Sequence, residues 1–230
     1  MKEDHERLQN VIKVLEITGR FITSVLLVLC FPLALCGQQS TVRGTALFDG
    51  RTLAGWKSSN AADRGLWSVK DSVLTGGDGV HKIASNTYLQ TEKGFGDFEL
   101  RFLFRLSGNT ASGMINSGVQ YRSRLVDGAM VGYQADIGNG YWGDIYDEHR
   151  RGKLVGGDIR VLKRLLREDG WNSYIVRVRG NHHELYINGI KTSDYIEKDT
   201  SIPAKGIIAI QLHSGGTAVI ELRDIVIDEF

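Results

Sequence analysis

Polar side chains recur at every second position of three apolar stretches. In residues 131–137 the odd-numbered positions are apolar, so Gln134 and Asp136 share the opposite face of a strand. The odd positions form the expected core face: Val131, Tyr133, Ala135 and Ile137. The same alternation in 113–122 and 206–213 predicts one polar surface that collects Asn116, Arg122, Gln134, Asp136, Gln211 and His213.

Small residues and a mixed loop accompany these polar positions. Gly118 and Gly132 leave space in which a ligand can approach the backbone. The loop 139–151 supplies aromatic rings and charges together: Tyr141, Trp142, Asp144, Tyr146, Asp147, Glu148, His149, Arg150 and Arg151. Rings cover the C–H faces of sugars and charged groups bond their hydroxyls, so this combination is typical of a carbohydrate site.

Structural alternatives stay open for the same residues. A polar side chain on the outer face of a strand is about as often simply solvated. Asp136 can pair with Arg122 for structure, and His213 can cap the end of a strand. The adjacent His182 and His183 precede a turn, where exposed histidines without a metal are the commoner case.

The sequence argues against the conventional two-carboxylate mechanism of glycosidases. Such enzymes hold two carboxylates roughly 5.5 Å or about 6.5–9.5 Å apart. Jelly-roll glucanases commonly carry theirs as Glu-x-Asp-x-x-Glu on one strand, and here Gln134-Ala135-Asp136 lacks the first Glu. The sequence also contains no serine nucleophile elbow and no HExxH zinc motif.

Composition and charge exclude other classes of function. The 230 residues include 28 Lys and Arg against 27 Asp and Glu, a formal net charge of +1. A nucleic-acid partner held by clustered positive charge is therefore not expected. Glycine is abundant, with 28 residues, and proline is rare, with 2, which indicates many turns and few helices.

The N-terminal segment 1–36 is predicted to be a signal peptide or a membrane or lipid anchor. Its uncharged run Phe21–Cys36 falls short of the roughly 20 apolar residues of a transmembrane helix and suits a signal-peptide core. Lipidation of Cys36, cleavage near 37–40 and an uncleaved anchor all stay open. We expect export to the periplasm, the cell exterior or a membrane surface. No cysteine follows Cys36, which excludes disulfides and thiolate zinc sites from the rest of the chain.

The remainder, 45–230, is predicted to be one all-β domain. In 97–106 apolar and polar residues alternate as in a long strand with one buried face, and Asn188-Gly189 predicts a tight hairpin. About ten such strands must stack to bury their apolar faces. This favours a two-sheet antiparallel jelly-roll sandwich.

One short helix is expected within this domain. Its apolar stripe lies in 159–166, Asp158 can cap its beginning, and Asp169-Gly170 ends it.

Short motifs in a fixed order give the chain a resemblance to a known family. They run from Ala46 to Glu229 and include Leu47-Phe48-Asp49-Gly50, Gly132-Tyr133-Gln134-Ala135-Asp136-Ile137, Ile187-Asn188-Gly189 and Gln211-Leu212-His213-Ser214-Gly215. With this set the chain resembles the 3-keto-disaccharide hydrolase domain family. The resemblance implies a concanavalin-like jelly roll and an activity on glycosides already oxidised to a ketone at C3. Many relatives have Gly-Tyr-Glu-x-Gln where this chain has 132–136, so the carboxylate here lies two positions later on the same strand face.

The chemistry that the resemblance implies needs a single base. A ketone at C3 acidifies the proton on C2, and its removal lets the C1 substituent leave by β-elimination, after which water adds. We expect Asp136 or His213 to be the base, with Glu148 as the next catalytic candidate, and a donor must face the enolate oxygen. The expected substrate-binding residues orient the ketone and hydroxyls or stack on the ring: Asn116, Arg122, Gln134, Trp142, Tyr146 and Gln211.

Cofactors and partners follow from the same expectation. The sequence requires no cofactor, although a divalent metal held by Asp136, His213 and Glu148 is an alternative way to stabilise the enolate. The expected partner is a carbohydrate, with no nucleic acid and with membrane contact only through 1–36. A non-catalytic carbohydrate-binding module that uses the same polar surface is the alternative function.

Overall fold

Apolar residues at every second position produce most of the strands, because an alternating strand buries one of its faces. The computed structural model describes residues 44–157, 159–168 and 170–230. In chain order the strands of this part are β1 (Thr45–Ala46), β2 (Trp56–Ser58), β3 (Trp67–Lys70), β4 (Val73–Gly76), β5 (Thr87–Phe95), β6 (Phe98–Ser107), β7 (Asn116–Val126), β8 (Ala129–Gly138), β9 (Ile145–Glu148), β10 (Gly152–Val155), β11 (Asn172–Arg179), β12 (His182–Ile187), β13 (Ile190–Ile196), β14 (Gly206–Leu212) and β15 (Val219–Glu229).

Two sheets contain these strands, and their neighbours pair antiparallel. Sheet A has the order β13-β12-β11-β6-β15-β4-β3, and β1 also pairs with β15. Sheet B has the order β10-β9-β8-β7-β14-β5-β2. The predicted two-sheet antiparallel jelly-roll sandwich is confirmed.

The core lies between the inner faces of the two sheets. Sheet A contributes the apolar side of β6, which is at most 3% exposed at Phe98, Leu100, Phe102 and Phe104. Sheet B contributes the predicted inner positions of β7, β8 and β14: Val119, Tyr121, Tyr133, Ala135, Ile137, Ile208, Ile210 and Leu212. Each large apolar side chain buried in this way stabilises the fold by about 1.5–3 kcal/mol. The opposite faces of the same strands are thereby turned outward.

A β-bulge changes the side-chain parity of β7. Between the residues that pair with Tyr133 and Val131 of β8, β7 contains one residue more than its partner strand. Arg122 lies in this bulge with a φ of 46°, in the left-handed region. Val131, which parity predicted for the core, is only half-buried and lies outside the core cluster. The reason is that it pairs with β7 beyond the bulge, on the part of the hairpin that leaves the sandwich core.

The tight turns follow the sequence closely. The β12–β13 hairpin turns at Asn188 and Gly189, with φ values of 48° and 78°, as a two-residue type I′ turn requires. The β3–β4 hairpin turns at Asp71 and Ser72, where φ is also positive. The hairpin predicted at Asn188-Gly189 is confirmed.

The predicted helix is reduced to a 3-10 turn over Leu162–Arg164. Leu162 is fully buried, whereas Val161 and Leu165 are about half exposed. Ile159 and Leu166 of the predicted stripe are partly buried against the core, but a single regular turn is too short to form a stable helix by itself. The predicted cap Asp158 and the predicted stop residue Asp169 lie outside the described residues. Two further 3-10 segments, Ala61–Leu66 and Thr110–Ser112, connect strands.

The N-terminal segment 1–36 lies outside the described residues, so its assignment as a signal peptide or anchor stays a prediction. Within the described part of the chain, none of the helical segments has the length and hydrophobicity to cross a membrane.

Candidate functional site

A polar cleft opens on the outer face of sheet B. It has a volume of about 120 Å³, and it lies where β7, β8 and β9 meet the loop after β8 and the end of β14. Its lining residues are Met114, Asn116, Gln134, Asp136, Tyr141, Tyr146, Glu148 and His213. The cleft therefore gathers polar positions from distant stretches of sequence, as side-chain parity predicts.

Glycines of the neighbouring strands pair with the two carboxyl residues of the cleft. Gly118 of β7 pairs with Asp136, and Gly132 of β8 pairs with Glu148. A Cβ at Gly118 would lie 2.7 Å from the side chain of Gln134. Any side chain at this position would therefore displace Gln134 and close the space next to Asp136.

Asp136 is the most strongly perturbed carboxyl group of the cleft. It is 3% exposed, and burial raises its pKa to about 8, against a hydrogen bond from Gln134 that lowers it. The nearby charges of Asp144 and Glu148 add to the increase. At neutral pH this group is therefore largely a protonated acid, which can donate a hydrogen bond.

A chain of hydrogen bonds between side chains holds Asp136 in place. Gln134 Nε2 donates to Asp136 Oδ1 at 2.6 Å, and Gln120 Nε2 donates to Gln134 Oε1 at 2.6 Å. Ser123 Oγ, next to the bulge of β7, donates to Gln120 Oε1 at 3.0 Å. All four residues are buried, so the carboxyl group is fixed in one orientation. Its Oδ2 has no hydrogen-bond partner in the part of the chain that the structure describes.

His213 presents an unoccupied basic nitrogen. Its Nδ1 lies 2.8 Å from the carbonyl oxygen of Ser214, which can only accept, so Nδ1 carries the proton of the neutral ring. Asn86 Oδ1 accepts from Ser214 N at 2.9 Å and fixes this turn. Among the described residues Nε2 has no hydrogen-bond partner, and its lone pair is free to accept a proton.

Glu148 lies close enough to His213 for the two groups to interact. Burial raises the pKa of Glu148, and the neighbouring His149 and His213 act in the opposite direction. An ionised Glu148 would stabilise a positive charge on the His213 ring. The cleft thus combines a free imidazole nitrogen, a buried carboxylic acid and a second carboxyl group.

Arg122 is not part of the cleft, contrary to the prediction from parity. The bulge turns its side chain to the end of the sandwich, where Nη1 donates to Gly180 O at 2.7 Å and Nε donates to Gly96 O at 3.0 Å. Its Nη2 pairs with Asp97 Oδ1 at 2.6 Å. The guanidinium therefore ties together the β5–β6 and β11–β12 turns and orients no ligand.

Trp142 and Gln211 are also absent from the cleft lining. The Trp142 ring stacks on Phe104 at 6.2 Å between centroids and packs against the core. Gln211 is fully buried, and its Nε2 donates to Tyr88 Oη at 3.3 Å. The structure places the other predicted binding residues, Asn116, Gln134 and Tyr146, in the cleft.

The residues considered for a metal do not form a compact ligand set. The described part of the chain has one group of such residues whose ligand atoms all lie within 4.8 Å of one another: His182, Glu184 and Asp194, on sheet A. Lys191 Nζ already bonds both carboxylates there, at 2.6 and 2.8 Å. A metal held by Asp136, Glu148 and His213 remains a prediction.

Two lining residues, Met114 and Tyr141, were not among the predicted site residues. No sequence signal singles out Met114. Tyr141 is adjacent to Trp142 in the same glycine-rich loop, and the sequence alone does not show which of the two rings faces outward.

Solved structures share this fold at low sequence identity. A provisionally assigned glycosyl hydrolase from Parabacteroides distasonis ATCC 8503 is 20% identical and has a TM-score of 0.58, over 81% of this chain and 94% of that chain. The carbohydrate-binding module CBM66 from Bacillus subtilis is 12% identical and has a TM-score of 0.54, over 76% and 96%. A Bacillus subtilis protein of unknown function with a galectin-like fold is 10% identical and has a TM-score of 0.59, over 81% and 96%. These matches define the class as a jelly-roll sandwich.

The family assignment is more specific than the fold. The family model of the 3-keto-alpha-glucoside-1,2-lyase-like domain matches residues 44–228, which is most of the chain. The chain therefore belongs to this family, as its motifs indicate, and its function is related to carbohydrates. No functionally curated protein matches the sequence.

Proposed function

We propose that this domain cleaves 3-keto-glycosides, including 3-keto-disaccharides, by removing the C2 proton and eliminating the C1 substituent. Family membership supports the substrate class. The observation that carries the proposal is that His213, whose Nε2 has no hydrogen-bond partner among the described residues, lines the same cleft as the buried carboxyl group of Asp136. Such a pair can accept a proton from carbon and donate a hydrogen bond to the neighbouring carbonyl oxygen.

In the first step His213 Nε2 takes the proton from C2, and the C–H electron pair forms the enolate of the C3 ketone. The protonated Oδ2 of Asp136 donates a hydrogen bond to the enolate oxygen, where the negative charge develops. Glu148 stabilises the imidazolium that forms.

In the second step the enolate reforms the ketone, a C1–C2 double bond forms, and the C1–O bond breaks. The departing oxygen receives its proton from the His213 imidazolium, which restores the neutral ring. Water can then add across the double bond at C1, and the net reaction is hydrolysis. Asn116, Gln134 and Tyr146 line the same cleft and are assigned to the sugar hydroxyls.

The direct test measures product from a 3-keto-disaccharide and from its unoxidised parent. We expect turnover of the oxidised sugar alone, and His213→Ala should lower kcat by roughly 10² to 10⁴. His81→Ala, an exposed histidine paired with Asp78, is the matched control. Full turnover by the His213 variant would refute its role as base.

The same assay separates the enzyme from a binding module. Saturable binding of the unoxidised disaccharide, with no product from either sugar, would favour the non-catalytic carbohydrate-binding module.

We further propose that the domain works after export, in the periplasm, outside the cell or at a membrane surface. The support is the uncharged run Phe21–Cys36 in the sequence. Fractionation of cells that express the full chain tests this, and recovery in the cytosol at full length would contradict it.

A further inference from the structure

The aromatic ring that faces the cleft belongs to Tyr141, because the neighbouring Trp142 is turned the other way. Trp142 stacks on Phe104 of sheet A, whereas Tyr141 lines the cleft beside Asp136 and His213. The two adjacent residues of one loop therefore have different roles, one in the core and one at the ligand.

The loop that carries Tyr141 is anchored to the floor of the cleft. Gly143 N donates to Asp136 O at 3.0 Å, and Asp136 N donates to Asp144 O at 3.1 Å. Within the loop Asp144 N donates to Tyr141 O at 3.0 Å. The position of Tyr141 is thus tied by backbone hydrogen bonds to the residue that we assign as the acid.

A lysine fixes the ring itself. Lys153 Nζ lies 5.5 Å from the centroid of the Tyr141 ring, within the range of a cation–π interaction. The same Nζ pairs with Asp144 Oδ2 at 2.6 Å, and Asp144 is buried. Asp144 belongs to the anchored loop, so Lys153 connects the Tyr141 ring to that loop through the ion pair and the cation–π contact.

We propose that Tyr141 stacks on the pyranose ring of the substrate and that Lys153 is a positioning residue for it. This proposal rests on the proposed function and names the contact that recognises the sugar ring. Stacking of an aromatic ring on the C–H face of a pyranose selects a flat, C–H-rich face. The contact should act in binding and leave the proton-transfer step unchanged.

The experiment measures KM and kcat for a 3-keto-disaccharide, and its dissociation constant in a His213→Ala background where turnover is suppressed. Tyr141→Phe keeps the ring and should change KM by less than about 2-fold. Tyr141→Ala should raise KM and the dissociation constant by about 3- to 12-fold at nearly constant kcat. Lys153→Met should raise both by about 2- to 5-fold.

A double-mutant cycle separates positioning from direct contact. If Lys153 acts through the ring, Lys153→Met should add no further loss to Tyr141→Ala. The chain offers a matched control, since Lys191 Nζ lies 5.5 Å from the Tyr186 ring on sheet A. Tyr186→Ala and Lys191→Met should leave KM unchanged, and thermal melting of every variant confirms that it is folded.

The outcomes distinguish the two proposals. Turnover by the unmodified protein with an unchanged KM in Tyr141→Ala would overturn the stacking role and leave the proposed function in place. Additive losses in the double variant would overturn the positioning role of Lys153. If the protein binds the sugar without turnover, the proposed function fails, and a loss of binding in Tyr141→Ala would still support the stacking contact. Absence of binding to any sugar would overturn both.

Discussion

Replacing Asp136 by asparagine should stabilise the protein, and the gain should increase with pH. The folded state raises the pKa of this carboxyl group from the ordinary 3.8 to about 8. Between these values the folded protein keeps a proton that the unfolded chain has lost. The free energy of unfolding contributed by this group is therefore largest below about pH 4 and decreases as pH rises towards 8.

The slope sets the size of the effect. Each pH unit within this window changes the free energy of unfolding by about 1.4 kcal/mol, so the burial cost is on the order of 5 kcal/mol once the group is ionised at pH above 8. The amide that replaces the carboxyl group in the variant does not titrate, and its oxygen can still accept the hydrogen bond that Gln134 donates at 2.6 Å. From pH 5 to pH 7.5 the advantage of Asp136→Asn over the unmodified protein should grow by roughly 3 kcal/mol.

Urea unfolding at the two pH values measures this difference. With an m-value near 2 kcal/mol/M, the gap between the two midpoints should widen by about 1.5 M. Asp127→Asn, in the exposed turn between β7 and β8, is the control for the same chemical change at the surface. A stability difference that is identical at both pH values would show that Asp136 is already ionised in the folded protein and would refute the reasoning.

Three further predictions concern the same molecule. The pH profile of kcat/KM should decline with a midpoint near pH 8 as Asp136 loses its proton, and Asp136→Asn should abolish this decline; a decline that persists would assign it to another group. Arg122→Met should lower the free energy of unfolding by roughly 3 kcal/mol, since two turn carbonyls and Asp97 lose their donor. The same variant should leave KM unchanged, and a raised KM would show that Arg122 contacts the substrate. Burial lowers the pKa of His183 to about 3, with Arg122 acting in the same direction, so this group stabilises the fold above about pH 6.5 and the stabilisation is lost as pH falls towards 3. Urea midpoints of His183→Gln should therefore depend less on pH in this acid range than those of the unmodified protein, and an unchanged dependence would contradict the assignment.

Strand alternation made much of the site predictable. A two-residue period assigns Gln134 and Asp136 to one face whatever the neighbouring strands are, and the same holds for Asn116 on β7 before the bulge. The resemblance to the family and the strand count together indicated the jelly roll. These signals are local in the sequence, so they can be recognised without knowledge of the tertiary structure.

The wrong site predictions concern residues whose position is decided by a bulge or by tertiary packing. Neither leaves a signal in the sequence that strand alternation would reveal. One extra residue in β7 removes Arg122 from the face that parity assigns to it. The Trp142 ring stacks on Phe104 of sheet A, and a contact between residues so far apart in the chain leaves no signal in the sequence. Gln211 lies on the strand face that alternation predicts, but it is completely buried. Alternation predicts the face to which a side chain points and does not predict whether solvent or a ligand can reach it.

The bulge of β7 also divides the β7–β8 hairpin into two parts with different freedom to vary. On its inner side, Ser123 ends the hydrogen-bond chain that reaches the cleft and Arg122 secures two distant turns. On its outer side, residues 124–129 are exposed or half-exposed. They belong neither to the hydrogen-bond chain that reaches the cleft nor to the contacts that hold the two turns. Insertions and affinity tags should therefore be tolerated at the outer tip, whereas a one-residue deletion at the bulge would disturb the sugar cleft and the far end of the sandwich at the same time.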